Sequence, residues 1–493
     1  MIAHILSWTI FSPLLGLIPL ALIPRGRETV LRASAFAASL VPLVLSCVLF
    51  DRFRGTGEFE FQEIVPWLQG FKVDYRLGVD GFSAPLIVLT ALLIPLVILQ
   101  SWKDHSGKIR GFLVFLLVLE TGLIGVFSAL DLFLFYVFWE AMLVPMYFLI
   151  GGWGGERRIY AAIKFVLYTM VGSLLMLAAI LYLYSAGGSF NLADLYGLNL
   201  PNKAQMFLFG AFALAFAIKV PLFPFHTWLP DAHVEAPTGG SVLLAGVLLK
   251  MGTYGFVRFA MPLFPQASAA FAPAIAALAV IGVIYGSLVA MVQPDLKKLV
   301  AYTSVAHLGF VMLGLMSLTP QGVMGASVQM INHGISTGAL FLLVGMIYER
   351  RHTRAIAAFG GLATPMPFYA VLFLIVTVSS IALPATNGFV GEFLILMGSY
   401  KSNPVTAALA ATGVVFGAAT MLWMVKKVFF GPVTQEENKA LADLSFREVA
   451  VMAPLIVLIF WIGVGPGFLT SKMEKSVTKF IERTQWQLSI GQR

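Results

Sequence analysis

Apolar residues along this chain run in blocks of about twenty, the length an α-helix needs to cross a bilayer. About fourteen blocks are predicted, near 4–23, 29–50, 79–100, 111–129, 131–150, 161–185, 204–234, 238–262, 271–292, 297–318, 322–348, 366–399, 404–429 and 447–469. Blocks seven and twelve are too long for single straight helices and contain proline, which removes a backbone donor and clashes with the preceding turn. Each reads as a broken helix. Between blocks two and three, EFEFQEI alternates with the period of a strand, inside a soluble segment, 51–78, that carries Glu58, Glu60, Glu63 and Asp74. At the far end, 471–490 places Met473, Val477, Phe480 and Ile481 on one helical face. That pattern predicts an amphipathic helix lying at the membrane interface. The expected class is an all-α polytopic membrane protein.

The blocks also echo one another. Block five opens with Asp131-Leu132 and places Glu140 nine residues on; block ten follows Asp295-Leu296 and places Ser304 nine residues on, then His307. Block seven breaks at Lys219-Val220-Pro221, and block twelve at Leu383-Pro384 through Asn387-Gly388, with Glu392 four residues later. The breaks occupy corresponding places in two five-helix units, 111–262 and 271–430. An odd number of spans inverts the second unit, and broken helices in inverted repeats mark ion paths near the midplane. Residues 1–110 would add three N-terminal spans with the soluble segment, and 431–493 the last span and the tail.

Composition narrows the class. Of 493 residues, 59% are hydrophobic and 11% charged, against about 25% charged in soluble chains. The single cysteine, Cys47, excludes a disulfide framework, a thiolate zinc site and an iron–sulfur cluster held by this chain alone. The first block lacks a basic leader and a small-residue cleavage pattern, so it reads as a retained helix rather than a signal peptide. The net charge of +8 is weak evidence for nucleic acid, because membrane proteins concentrate basic residues in cytoplasmic loops. Alternate loops hold 17 Lys/Arg on one side and 7 on the other, with Arg258 counted among the latter and Lys297 among the former. The richer side is expected to be cytoplasmic, which leaves both termini outside. The strength of the bias suggests a bacterial plasma membrane.

Three lysines fall inside spans. Lys164 follows Arg157 and Arg158 and is expected to snorkel to the basic surface. Lys219 and Lys250 have no such escape, and a charge at mid-bilayer costs roughly 2.5–3.5 kcal/mol even on lenient scales. Glu140, in an otherwise apolar span, is the expected partner of Lys219. A lysine whose distance to a carboxylate varies changes its proton affinity with that distance, which makes the pair a proton switch. The bland alternatives are a protonated carboxyl in a helix contact and a lysine that satisfies loose carbonyls at the break. His307 and His333 lie near the middle of their spans and suit a relay between Lys250 and Glu392, since imidazole takes a proton on one nitrogen and releases it from the other. Metal binding is disfavoured there, for the two histidines lie on different helices. His226 and His233, in a predicted loop with Asp231 and Glu235, are a weaker metal candidate still. Glu120 is a further carboxyl within a span, without a role. No GxGxxG, P-loop or nucleophile elbow occurs, so the energy for ion movement must come from elsewhere.

The stretches KVPLFPFHTWLPDAHVEAPTGGSVLLAGVLLKMGTYG, FLFYVFWEAMLVPMYFLIGGWGGERRIYAA, PDLKKLVAYTSVAHLGF and NGFVGEFLIL resemble the antiporter-like membrane subunits of respiratory complex I. The similarity runs from about residue 70 to 430, and Glu392 marks the branch that carries glutamate where sister subunits carry lysine. The resemblance implies a proton half-channel scheme. Glu140 and Lys219 would form the coupled pair, Lys250 the central carrier, His307 and His333 the relay, and Glu392 the terminal group. It also implies that this chain binds no cofactor. FMN, iron–sulfur clusters and the quinone site would belong to partner subunits, and electron transfer there would drive translocation. Expected partners are sister antiporter-like subunits, a lateral helix from one of them, and lipids. The alternatives are a subunit of a cation/proton antiporter or membrane-bound hydrogenase, a self-contained secondary transporter, and a purely structural subunit.

Overall fold

The computed structural model describes residues 4–24, 26–104 and 107–490, with side chains through 484. Among these residues, twelve helices are long and apolar enough to cross a membrane. They are α1 (Ile5–Leu22), α2 (Glu28–Arg52), α3 (Ser83–Lys103), α4 (Ile109–Ser128), α5 (Leu132–Trp153), α6 (Arg158–Gly187), α9 (Thr238–Leu263), α10 (Pro265–Met291), α11 (Leu296–Met316), α12 (Pro320–Arg351), α15 (Pro404–Phe429) and α16 (Phe446–Val464). Blocks seven and twelve are each two shorter helices: α7 (Asn202–Lys219) with α8 (Trp228–Glu235), and α13 (Pro367–Ser380) with α14 (Asn387–Ser402). The tail forms α17 (Gly467–Ile490).

Burial grades the helices. The apolar windows of α9 and α12 are 100% buried, while those of α2 and α15 are 28% buried. Apolar side chains gain nothing from hiding from lipid, so close packing in a membrane is set by small residues and internal polar bonds. The α9–α12 contact follows that rule. A Cβ placed on Gly334 would lie 2.8 Å from the carbonyl of Gly246 and 2.5 Å from Leu89. Only glycine lets these two backbones meet there. Gly391 does the same for α14, where a Cβ would come 2.3 Å from Gln329 Oε1 on α12.

Both breaks follow from their prolines. Pro221 cannot donate, and Leu222 N–H bonds Ala217 O instead at 2.8 Å. The Ile218 carbonyl is taken by the indole of Trp228 at 2.9 Å. At the second break Leu383 N–H reaches Val378 O at 3.0 Å, and Ala382 and Ala385 adopt positive φ of 56° and 71°.

The soluble segment forms an antiparallel hairpin, β1 (Glu60–Leu68) and β2 (Val73–Val79). Glu63 is not a solvated strand charge; it is buried and accepts from Leu6 N–H at 2.8 Å. The amphipathic tail also departs from expectation. Met473, Val477, Phe480 and Ile481 do share a face, but all four are buried against the chain's own helices, α12 and α10 among them. Lys472 fixes the helix to the end of α2, donating to Phe50 O at 2.6 Å and Phe53 O at 2.8 Å. The tail's apolar face is therefore covered by the protein itself, as a strap across its helices.

The echo between blocks five and ten has a structural counterpart. Asp131 caps α5 by accepting from Phe133 and Leu134 N–H; Asp295 caps α11 by accepting from Lys297 and Lys298 N–H. Each cap also forms an isolated antiparallel bridge, Asp131 with Asn191 and Asp295 with Ala355.

Candidate functional site

Lys250 is fully enclosed on α9. The helix widens into π turns at Leu244–Leu248 and Phe256–Ala260 on either side of it, a distortion common at functional sites. The ammonium donates back to the Ala245 carbonyl, and Nζ lies 2.6 Å from His333 Nδ1 on α12. The His333 and His307 rings lie edge to face, with centroids 5.7 Å apart. His307, on α11, puts Nδ1 2.9 Å from Glu392 Oε1 and Nε2 3.2 Å from Ser380 Oγ. Four sequence-predicted residues, Lys250, His333, His307 and Glu392, thus stand in one line on four helices.

Polar side chains hold that line in place. Gln329 donates to Glu392 Oε1 at 3.3 Å, and Asn332 donates to the Asn387 carbonyl at 2.6 Å. Asn387 opens α14 at the second break and accepts from Ser379 Oγ. A cavity of about 20 Å³ touches His307, Glu392, Ser380 and Thr303, enough for one water.

The other predicted pair is looser. Lys219 is fully enclosed, yet its nearest polar contact is Met142 Sδ at 3.7 Å. The ammonium faces the rings of Phe165 at 5.1 Å and Trp139 at 5.4 Å. Glu140 acts on it electrostatically, but no ion pair within 4 Å joins them among the described residues. Glu140 is half-buried, and its Oε1 has no hydrogen-bond partner. The idea that Lys219 merely satisfies loose carbonyls at the break fails, because Trp228 and Leu222 take those groups. Among the described residues no hydrogen bond links Lys219 to Lys250. Glu120 is enclosed, with neither carboxyl oxygen partnered, and stands apart from both groups.

Several charges differ from their sequence reading. Lys164 forms an ion pair with Asp231 at 2.6 Å rather than simply snorkelling. Arg258 is not a loop residue: it lies buried in α9 and pairs with Asp80 at 2.5 Å. Lys297, counted as a loop lysine, is buried and donates to Ala236 O at 2.5 Å. Both histidines are enclosed; His226 lies in the turn at the first break, as expected of a loop residue, whereas His233 is on α8. The carboxylates near them are engaged elsewhere, Asp231 with Lys164 and Glu235 with Arg157 N–H at 2.9 Å. No group of three potential metal ligands occurs among the described residues. Arg258 and Lys297 were missed because hydropathy places a charge near a span end in the loop; the signal that Arg258 turns inward is its place amid YGFVRFAMP.

Residues 129–417 match the family model described as NADH:quinone oxidoreductase/Mrp antiporter, TM. Residues 8–126 match that for the amino terminus of NADH-ubiquinone oxidoreductase chain 4. NADH-quinone oxidoreductase subunit M of Rickettsia prowazekii is 45% identical, over 97% of this chain and 98% of its own length. The chain belongs to the subunit M (chain 4) family of complex I. Subunit M of Rhodobacter capsulatus is 43% identical over 97% of this chain and 96% of its own, and chain 4 of Arabidopsis thaliana 43% over 97% of each. Among solved structures, a chain of respiratory complex I from Thermus thermophilus superposes with a TM-score of 0.90 at 36% identity, covering 97% of this chain and 99% of that one. A chain of the Mrp complex from Dietzia superposes at 0.84 with 19% identity, over 98% of each, which speaks to the fold alone.

Proposed function

We propose that this chain is a proton-translocating membrane-arm subunit of NADH:quinone oxidoreductase, driven by electron transfer in its partners. The observation that carries the reading is the row Lys250–His333–His307–Glu392, hydrogen-bonded at both ends, with the two imidazoles edge to face at 5.7 Å between them. If Lys250 is charged, His333 Nδ1 accepts its hydrogen bond; if Lys250 is neutral, the same contact runs in the opposite direction. One geometry serves both protonation states. Ionisable groups inside a membrane are functional by default, and imidazoles suit relay positions. Beyond Glu392, a cavity of about 360 Å³ reaches Ser399, whose hydroxyl has no partner. That cavity suits the outlet.

In this reading Glu140 and Lys219 are the coupled pair of the first unit (111–262), and Lys250 connects it to the second (271–430). The twin caps at Asp131 and Asp295 support an inverted repeat. With each broken helix counted as one crossing, the chain makes fourteen. The basic loops then face the cytoplasm of a bacterial plasma membrane, with both termini periplasmic. Sister antiporter-like subunits, a lateral helix from one of them and lipids cover the outer faces. FMN, iron–sulfur clusters and the quinone site reside in other subunits, and no cofactor is needed here. A second reading, as a subunit of a cation/proton antiporter or membrane hydrogenase, rests on the shared fold. Full-length identity to subunit M favours the first.

The test is Lys250→Met in the intact complex. NADH-driven acidification of membrane vesicles should be lost while the subunits still co-purify. Acidification at the wild-type rate would end the proposal.

A further inference from the structure

Around Glu392 three enclosed carboxamides form a chain of their own. Asn387, the first residue of α14, closes the second break. Its Oδ1 accepts from Ser379 Oγ on α13 at 2.5 Å, and its Nδ2 donates to Ser336 Oγ on α12 at 3.2 Å. Asn332 and Gln329 lie one turn apart on α12, and both are buried. Asn332 Nδ2 has both of its N–H groups engaged, one with the Asn387 backbone carbonyl at 2.6 Å and one with Gln329 Oε1 at 3.3 Å. Gln329 Nε2 in turn donates to Glu392 Oε1 at 3.3 Å, the oxygen that also lies 2.9 Å from His307 Nδ1. A carboxamide can often be turned end for end, but these two cannot. A backbone carbonyl only accepts, so turning Asn332 would set its oxygen 2.6 Å from the oxygen of Asn387. Turning Gln329 would oppose its NH2 to that of Asn332 and its oxygen to the Glu392 carboxylate. Enclosed groups that face their own kind are left unpaired, which is costly. The Asn387 carbonyl at the break therefore sets the direction of every contact up to Glu392 Oε1. Asn332 Oδ1 has no partner among the described residues, so it is the donors of Asn332, not its acceptor, that the site uses.

We infer that Gln329, oriented by Asn332 and the Asn387 carbonyl, is a positioning residue for Glu392 that holds Oε1 as an acceptor facing His307 Nδ1. This rests on the reading of Lys250–His333–His307–Glu392 as a proton path. With Oε1 so held, neutral His307 is the Nδ1–H tautomer, and its Nε2 accepts from Ser380 Oγ at 3.2 Å. The imidazole next to the terminal group thus has its proton on the nitrogen that faces the carboxylate. Because Asn387 opens α14, a shift of that helix at the break reaches Glu392 along the same three contacts. The competing explanation is that Gln329 only fills space against Gly391, where a Cβ would come 2.3 Å from Gln329 Oε1.

Methionine separates the two, because it is unbranched like glutamine and carries no donor. In the intact complex, Gln329→Met should slow NADH-driven acidification of vesicles about tenfold, the scale of one hydrogen bond to a charged group, while the subunits still co-purify. Acidification at the wild-type rate would reduce Gln329 to packing and overturn the inference. A swap gives a second test that lost packing cannot mimic. Glu392→Lys sets an ammonium against the Gln329 NH2, and two donors cannot bond each other. Gln329→Glu supplies the missing acceptor, so the double variant Gln329→Glu/Glu392→Lys should acidify vesicles several-fold faster than Glu392→Lys alone. No gain from the swap would also overturn the inference. Lys250→Met keeps the two readings apart. If it pumps normally, the relay itself fails; if it does not pump while Gln329→Met does, only the positioning role fails.

Discussion

Lys219 and Lys250 are both fully enclosed cations on helices that touch, yet their surroundings differ. Lys250 has a carbonyl and an imidazole within hydrogen-bond reach. Lys219 has a thioether, two aromatic faces and a carboxylate beyond ion-pair distance. The first arrangement holds its lysine in fixed hydrogen-bond contacts. The second has slack, and slack is what a switch needs. At an effective dielectric of about 20, opposite charges attract by ~4 kcal/mol at 4 Å and ~2 kcal/mol at 8 Å. Moving Glu140 a few ångströms would therefore retune Lys219 by more than a factor of ten in proton affinity.

The strongest way to break this contrast is at Lys250, where Lys250→Met removes the head of the line and should abolish pumping. Next is Glu140→Gln, which keeps the shape and removes the charge. NADH-driven pumping should fall severely in an assembled complex, measured as acidification per NADH oxidised. Unchanged pumping would mean that the loose pair does not switch. Glu392 sharpens the other half. Glu392→Ala deprives His307 Nδ1 and Gln329 of their acceptor and should largely stop pumping. Glu392→Lys should be milder, because an ammonium can donate to His307 Nδ1 as Lys250 does to His333 Nδ1. Equal losses would show that the sign of the charge matters at that position. A packing test follows. Gly334→Val forces α9 and α12 apart where a Cβ would already clash; overpacking of this kind costs about 1–3 kcal/mol. The thermal midpoint of the purified complex should drop, and pumping should fall with it as the Lys250–His333 contact lengthens.

Much of this was legible in the sequence, for identifiable reasons. Hydrophobic blocks of about twenty residues have few alternatives in a bilayer, and Pro221 and Pro384 advertise their breaks because a missing N–H cannot be hidden. The members of the line were legible because Lys250, His307, His333 and Glu392 each interrupt an apolar run. Which histidine abuts Lys250 was not, since it depends on Gly334 and Gly391 letting helices approach, and a glycine carries no signal of what it touches. Arg258 and Lys297 were misread for a related reason. Both lie within a turn or two of a span end, where hydropathy cannot tell an inward side chain from an outward one. The tail was read correctly as amphipathic, but a period of 3.6 shows only that one face is apolar, not whether lipid or protein covers it.

The smallest effect concerns the twin caps. Asp131 precedes its span and is almost fully enclosed; burial, with Asp74 nearby, lifts its carboxyl to about 6, although three backbone N–H groups oppose the rise. A carboxyl that is more basic in the folded chain holds its proton there while the unfolded chain, titrating near 4, has lost it. Between those values the folded state binds more protons, so this group's contribution to stability declines as pH rises from about 4 to about 6 and stays reduced above. Asp131→Asn keeps a good cap and removes that titration. It should match wild type at low pH and gain a few degrees in thermal midpoint above pH 6. Asp131→Ala loses the cap and should cost about 1 kcal/mol. A wild-type midpoint that rises between pH 4 and 6 relative to Asp131→Asn would mean that Asp131 is held as a carboxylate, and that the two caps work alike despite their different depth.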